Sequence, residues 1–253
     1  MNNPKILLCS PINIIKEYCL YDWLDAIKKL TYPNLEILLV DNSNNPAFSE
    51  KIREGGFNCL HEPPAGREAR EFMAASLERC RIKFLSGDYD YFFSLECDIF
   101  PPPDIIEKLL LHDLDVVGTT FWTDHKYNTR LQLQGNYLFK TDFKNKIKEY
   151  KSRALTFEES QLFMDGTVKP VYGAGLGCVL IKRNVIEEIT FHVDQEEVGF
   201  ADSFFHKDIW KNGVIFYIDT SIIPKHLNSN WNTVLSDSLH KKLQEAKGNI
   251  NLK

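Results

Sequence analysis

Nothing in this chain approaches the roughly 20 consecutive apolar residues that a membrane-spanning helix requires. The N-terminal stretch MNNPKILLCSPINII is apolar, but Pro11 and Asn13 break it and no small-residue cleavage site follows. It therefore reads as the first strand of a fold rather than a targeting segment. Positive charge is not in excess: 30 Lys plus Arg stand against 35 Asp plus Glu, a net −5. That balance speaks against a protein whose main work is coating nucleic acid, while leaving a nucleotide open as a small ligand. The cysteines at 9, 19, 59, 80, 97 and 178 form no CxxC pair and no cluster. Their scatter excludes a zinc ribbon and suits small buried thiols in a reducing compartment. Internal repeats, low-complexity tracts and linker-like segments are missing as well. The expectation is one cytoplasmic domain with no transmembrane segment.

What is present supports a sizeable core. Apolar residues make up 43% of the 253 and aromatics 12%, which argues against disorder and removes any need for a disulfide or metal staple. Short continuous apolar runs at 5–10 (KILLCS), 36–40 (EILLV), 57–61, 89–95 (YDYFFSL) and 115–121 predict strands covered on both faces. Between them, 15–30, 48–54, 66–85 and 104–112 carry apolar residues at helical spacing, and Pro101 opens the last of these where its missing N–H does no harm. Strands alternating with helices predict an α/β fold, with a central, mainly parallel sheet flanked by helices.

Residues 122–168 are polar, rich in Lys, Asn and Thr, and without a sustained period. They predict an irregular insertion that covers a site. Regular patterning returns at 171–181 (VYGAGLGCVLI), in helices at 183–189 and 201–211, in a strand at 214–218 and in a helix-compatible tail. The chain is read as a single domain in three stretches, 1–121, 122–231 and a C-terminal helix and tail at 232–253.

The chemistry concentrates at 89–103, YDYFFSLECDIFPPP. In an extended chain Glu96 and Asp98 point to one face and Cys97 to the other. Two carboxylates at the carboxyl end of a strand sit where open α/β sheets place their ligands, and their repulsion calls for a cation, a hydrogen-bond array or water. Hard oxygen donors there suit magnesium or manganese holding a diphosphate. Taken alone, such a pair as readily caps a strand and begins a turn.

Several separate motifs extend the pattern in order. Ser10-Pro11 ends the first strand, and Leu38-Leu39-Val40-Asp41-Asn42-Ser43 ends the second. Gly66-Arg67-Glu68-Ala69-Arg70-Glu71 leads into a long helix. The glycine-punctuated segment at 171–181 contains Gly173 and Gly175. Gly199-Phe200-Ala201-Asp202 opens a helix that Gly213 closes, and Pro224-Lys225-His226 follows the late strand. On these residues the chain, over roughly 5–231, resembles the GT-A fold nucleotide-sugar glycosyltransferases, particularly the family-2-like inverting group.

The resemblance implies a donor site built from Pro11, Asp41, Arg67, Arg70, Glu96, Gly173 and Gly175. It implies a divalent metal, manganese rather than magnesium given the imidazole, held by Glu96, Asp98 and His226. It implies a nucleoside-diphosphate sugar as donor, a UDP- or GDP-sugar first, and a glycan or other hydroxyl compound as acceptor. Asp202 is then the general base of an inverting transfer. Trp122 and Tyr137 are offered as sugar-stacking platforms.

The sequence departs from the family pattern at Glu96 in place of an aspartate, at Ala201 in place of an acid, and at Glu71 in place of an asparagine. A competing expectation is a GT-A-like domain that binds a nucleotide sugar or protein partner without turnover. A sugar nucleotidyltransferase is disfavoured because LLCSPINIIKEY lacks the glycine-rich basic loop, and a phosphohydrolase because its His/Asp clusters are missing.

Overall fold

Strand β1 (Ile6–Ile12) is buried at all seven positions. Its alternate residues feed different cores: Leu7 and Cys9 one, Ile6, Leu8 and Ile12 the other. The continuous apolar run is the signature of a strand packed on both faces. The computed structural model describes residues 3–124, 131–133, 155 and 157–227. After β1 come a 3-10 turn at Ile14–Lys16, α1 (Glu17–Ile27), β2 (Leu35–Asp41), α2 (Ala47–Glu54), β3 (Cys59–His61), α3 (Ala69–Leu85), β4 (Tyr91–Leu95), β5 (Ile99–Phe100), α4 (Ile105–Leu110) and β6 (Val116–Gly118). The remainder runs β7 (Trp122–Asp124), β8 (Leu131–Leu133), α5 (Phe157–Phe163), β9 (Val168–Val171), β10 (Cys178–Lys182), α6 (Arg183–Glu188), α7 (Ala201–Lys211), β11 (Phe216–Asp219) and β12 (Lys225–His226).

Eight of these strands form one sheet in the order β3-β2-β1-β4-β10-β6-β11-β9. The fold is α/β with a large, mostly parallel central sheet flanked by helices. β1 pairs in parallel with both β2 and β4, β2 with β3, and β11 with β6. β10 runs antiparallel between β4 and β6, and β9 lies antiparallel at the edge. The long helix α3 packs with α6 and α7 over one face, through Leu77, Cys80, Phe84, Ile186 and Phe205. Trp23 of α1, Phe48 of α2 and Ile106 of α4 cover the other. Burying each such aromatic or aliphatic side chain is worth about 1.5–3 kcal/mol.

The expected strands and helices of residues 5–121 are present. The placement of β10 between β4 and β6 is the new feature, and it interleaves the stretches 1–121 and 122–231. All six cysteines are free and buried. Among the described residues no helix is long and apolar enough to cross a membrane. Most of the expected insertion, with Tyr137, and the expected C-terminal helix at 232–253 lie outside the described residues.

Candidate functional site

β1 and β4 run side by side in parallel, so their carboxyl ends open at the same edge of the sheet. A cleft with a cavity volume of about 200 Å³ lies there. Pro11, Ile12 and Asn13 come from the end of β1, Lys16 from the 3-10 turn, and Asn42 from the end of β2. Glu96, Cys97 and Asp98 follow β4, Phe72, Met73 and Leu77 come from α3, and Phe200, Ala201 and Asp202 from the start of α7. This is the position where open α/β sheets bind ligands.

Residues after β4 do not continue extended as expected. The chain turns at once, with Ile99 N–H donating to Glu96 O at 3.0 Å. Cys97 borders the cleft but is itself buried in the apolar cluster that holds Phe93 and Leu95, while Glu96 and Asp98 line the cleft. The turn feeds β5, which pairs antiparallel with β12, setting His226 opposite Ile99. Leu227 N–H donates to Asp98 O at 2.9 Å and Trp23 Nε1 to Ile99 O at 2.9 Å, fixing the turn from both sides.

That small ladder brings His226 to Asp98 across a long loop of sequence. Its Nε2 stands 3.4 Å from Asp98 Oδ2, within ion-pair reach but longer than a good hydrogen bond. Both ring nitrogens are buried without a hydrogen-bond partner, and the ring meets Phe121 edge-on at 4.9 Å between centroids. Lys16 Nζ makes an ion pair with the same Asp98 oxygen. Burial opposes charge on Asp98, yet His226 and Lys16 together hold its carboxyl below the ordinary range. Burial likewise opposes charge on Lys16, and the Asp98 carboxylate overcomes it, leaving the ammonium more basic than usual.

Glu96 goes the opposite way. Burial and the neighbouring Asp98 charge push it up to about 7, against the pull of His226 and Lys16. Asp202 adds to that push. Asp202 is itself raised by burial, opposed by hydrogen bonds from Ser203, whose backbone N–H donates to Asp202 Oδ1 at 2.7 Å. The site thus holds one carboxylate kept charged and two whose protons are held more tightly, the separation expected where acids divide their tasks. Among the described residues no three His, Cys, Asp or Glu side chains are gathered closely enough, as placed, to hold a metal ion.

The structure brings Pro11, Glu96, Asp98 and Asp202 to one cleft and His226 to Asp98. It does not bring the other expected residues there. Asp41 is fully buried at the end of β2, where one carboxylate oxygen accepts from Ser43 N–H at 2.8 Å and the other has no partner. Arg67 is held by Glu62 and by the carbonyls of Pro63 and Pro64. Arg70 is buried, and its Nη1 donates to the carbonyls of Asp194 and Glu197 at 2.8 Å each. Arg70 thereby anchors the segment leading into α7 instead of reaching the cleft. Gly173 packs against His206, whose Nδ1 would lie 2.0 Å from a Cβ there. From the glycine-punctuated segment it is Leu176, not Gly173 or Gly175, that lines the cleft.

Sequence reasoning missed Lys16, Asn13 and Asn42. Asn13 Nδ2 donates to Asn42 Oδ1 at 2.7 Å, and Asn42 Nδ2 to Ser76 Oγ at 3.1 Å, a polar seam along the cleft floor. Asn42 carried a signal, since it follows Asp41 at the end of a buried strand. An isolated lysine after a strand carried none.

No family model matches the chain, and no curated protein matches it. Among solved structures, A197 from STIV is similar at 16% identity with a TM-score of 0.46, over 89% of this chain and 86% of that one.

Proposed function

We propose that this chain is a GT-A-like, metal-assisted glycosyltransferase that moves a sugar from a nucleoside diphosphate to an acceptor hydroxyl with inversion. One observation carries the reading: Glu96, Asp98 and Asp202 meet in a single cleft at the carboxyl ends of β1 and β4, with His226 set against Asp98 by the β5–β12 ladder. The sequence motifs that resemble that family, read without the fold, named the same four residues.

Glu96, Asp98 and His226 fit a divalent cation in kind. Two are hard carboxylate donors, and the third is an imidazole buried with both nitrogens unpaired, a costly state that a ligand bond relieves. The mixed set suits manganese better than magnesium. Bound there, the cation would supply Lewis acidity to the leaving diphosphate. The rest of the work falls to the protein. Ile12, Phe72, Met73 and Leu77 give the cleft an apolar wall. Asp202, whose raised carboxyl makes it a stronger base than an exposed aspartate, takes the acceptor's proton as the bond to the anomeric carbon forms. The chain acts as one domain, with 122–231 supplying the acceptor side.

The test is thermal denaturation with UDP-, GDP-, CDP- and dTDP-sugars, each with and without manganese. A ligand at about 100 times its Kd adds roughly 2.7 kcal/mol, which for a protein of this size raises Tm by about 5–10 °C. The expected result is a shift with one nucleotide that disappears with EDTA and in Asp98→Ala. No shift with any donor, with or without metal, overturns the proposal.

A further inference from the structure

Three apolar side chains at the cleft belong to neither hydrophobic core. Phe72 and Met73 of α3 and Phe200, which precedes α7, line the cleft and are half-buried. Among the described residues neither core takes them in. Phe84, Phe92, Phe191 and Phe205 each stack on or meet another ring. Phe72 and Phe200 have no ring partner among the described residues. A single half-exposed phenylalanine on a surface needs no explanation. Here two rings and a thioether line one cleft together with Leu77, Leu176 and Ala201.

The charges are distributed unevenly around that wall. Lys16, Glu96 and Asp98 come from the turns after β1 and β4, whereas Asp202 follows Phe200 and Ala201 directly and is the one carboxyl supplied from the α7 side. The cavity of about 200 Å³ exceeds the roughly 150 Å³ that houses one benzene ring. It falls short of the roughly 300–1,000 Å³ of a pocket for a whole drug-sized ligand. The enclosed part therefore receives one ring. A sugar ring there would set hydroxyls against carbon, and a nucleobase would set its polar edge there, each losing hydrogen bonds that the wall cannot return. The nearby amide donors are spent, Asn13 Nδ2 on Asn42 Oδ1 and Asn42 Nδ2 on Ser76 Oγ. An aromatic ring needs only contact, which phenylalanine faces and a methionine sulfur supply well.

We propose that the acceptor is a phenolic compound, its ring held by Phe72, Met73 and Phe200 and its hydroxyl presented to Asp202. The inference rests on the transferase reading above, names its acceptor class and requires no cation. The chemistry suits a lone base. With Ala201 where a second acid could stand, one carboxylate must take the proton, and a phenol gives it up near pH ~10, far more readily than an aliphatic alcohol. In the transfer the aryl oxygen bonds to the anomeric carbon. The bond from that carbon to the diphosphate breaks with its electron pair leaving on the phosphate, and the phenolic proton passes to Asp202.

The experiment measures binding of umbelliferone by equilibrium dialysis in EDTA, with no nucleotide present. Wild type is compared with Phe72→Leu and Phe200→Leu, which keep apolar bulk and lose the ring, and with Ile82→Ala, an exposed apolar deletion on α3 outside the cleft. Each Leu variant is expected to weaken binding about 3- to 10-fold, and Ile82→Ala to leave it unchanged. The methyl ether of umbelliferone, which has no hydroxyl to donate, should bind about tenfold more weakly than umbelliferone itself. With UDP-, GDP-, CDP- or dTDP-sugar added, with and without manganese, one donor should convert umbelliferone to its glycoside, read as loss of the free phenol's fluorescence.

Absence of umbelliferone binding to wild type, or equal binding by wild type and both Leu variants, overturns the inference. Displacement of umbelliferone by a nucleotide or by methyl glucoside also overturns it, because the ring site then belongs to a base or a sugar. In either case a nucleotide sugar that still raises the wild-type Tm leaves the glycosyltransferase reading standing. If no nucleotide sugar shifts Tm and none is transferred to the phenol, both readings fall together.

Discussion

Asp202 stands in the first turn of α7 next to Ala201, so one carboxylate must do there what an acidic pair would share. Burial raises its carboxyl, and Ser203 only partly offsets this. Replacing it with Asn keeps the shape and removes the base. Transfer in Asp202→Asn should fall by roughly 10²–10⁴, with nucleotide binding unchanged by calorimetry. In wild type the rate should decline as pH drops through that raised value, because the protonated carboxyl cannot accept a proton. The acid limb should vanish in the Asn variant, and a pH–rate profile checks both. A full-rate Asp202→Asn would assign the residue to helix capping alone. Glu71 has a local explanation: its side chain accepts from Glu68 N–H at 2.8 Å, bracing the start of α3, and from Gln195 Nε2 at 2.7 Å. Gly173 is explained by His206, whose ring occupies the space a side chain would need.

At the scale of elements, the segment between α6 and α7 is held to α3 by the Arg70 guanidinium together with Glu71, which accepts from Gln195 Nε2, and Glu78, which accepts from Phe191 N–H at 2.9 Å. Arg70 bridges the carbonyls of Asp194 and Glu197, and its Nε lies 3.7 Å from Glu68 Oε2. A lysine carries the charge but not the planar fork. Arg70→Lys should therefore let the start of α7 shift and lower turnover about 10- to 100-fold, while nucleotide affinity holds. A kcat loss matched by an equal affinity loss would place Arg70 on the donor after all. The elements of 5–121 were legible in the sequence because continuous apolar runs and helical stripes mark them without help from the rest of the chain. β10 was legible as an apolar run but not as an antiparallel insertion, since strand order is set by pairing that periodicity does not encode. The β5–β12 ladder is two residues long on each side and has no pattern to read, yet it carries His226 to Asp98. Arg67 and Arg70 looked like phosphate ligands because charge type is visible in a sequence and its direction is not. Glu96 and Asp98 were found by their place after a strand, although the chain turns there instead of continuing extended.

For the molecule as a whole, two buried groups tie stability to pH with opposite signs. His206 is pushed down from 6.5 to about 4 by burial, while accepting a hydrogen bond from Ala174 N–H. Between those values the unfolded chain binds more protons, so stability falls as pH drops through the window, by roughly 3 kcal/mol at full effect. Glu96 is raised from 4.5 to about 7, so the native state binds more protons there and stability falls as pH rises. Urea unfolding of wild type should show the two partly cancelling across their overlap. His206→Gln should become more stable toward the acid end of that range, and Glu96→Gln less stable. Parallel pH profiles in all three proteins would remove both assignments. The position of β10 has a kinetic consequence too. Its partners β4 and β6 are made early in the chain, but the strand that joins them begins only at Cys178. The sheet cannot close its middle until a long excursion has returned, so the loop entropy of that return is lost before the pairing rewards it. High contact order of this kind predicts slow folding and, during synthesis, a nascent chain whose two open strand edges are exposed to other chains until residue 182 emerges.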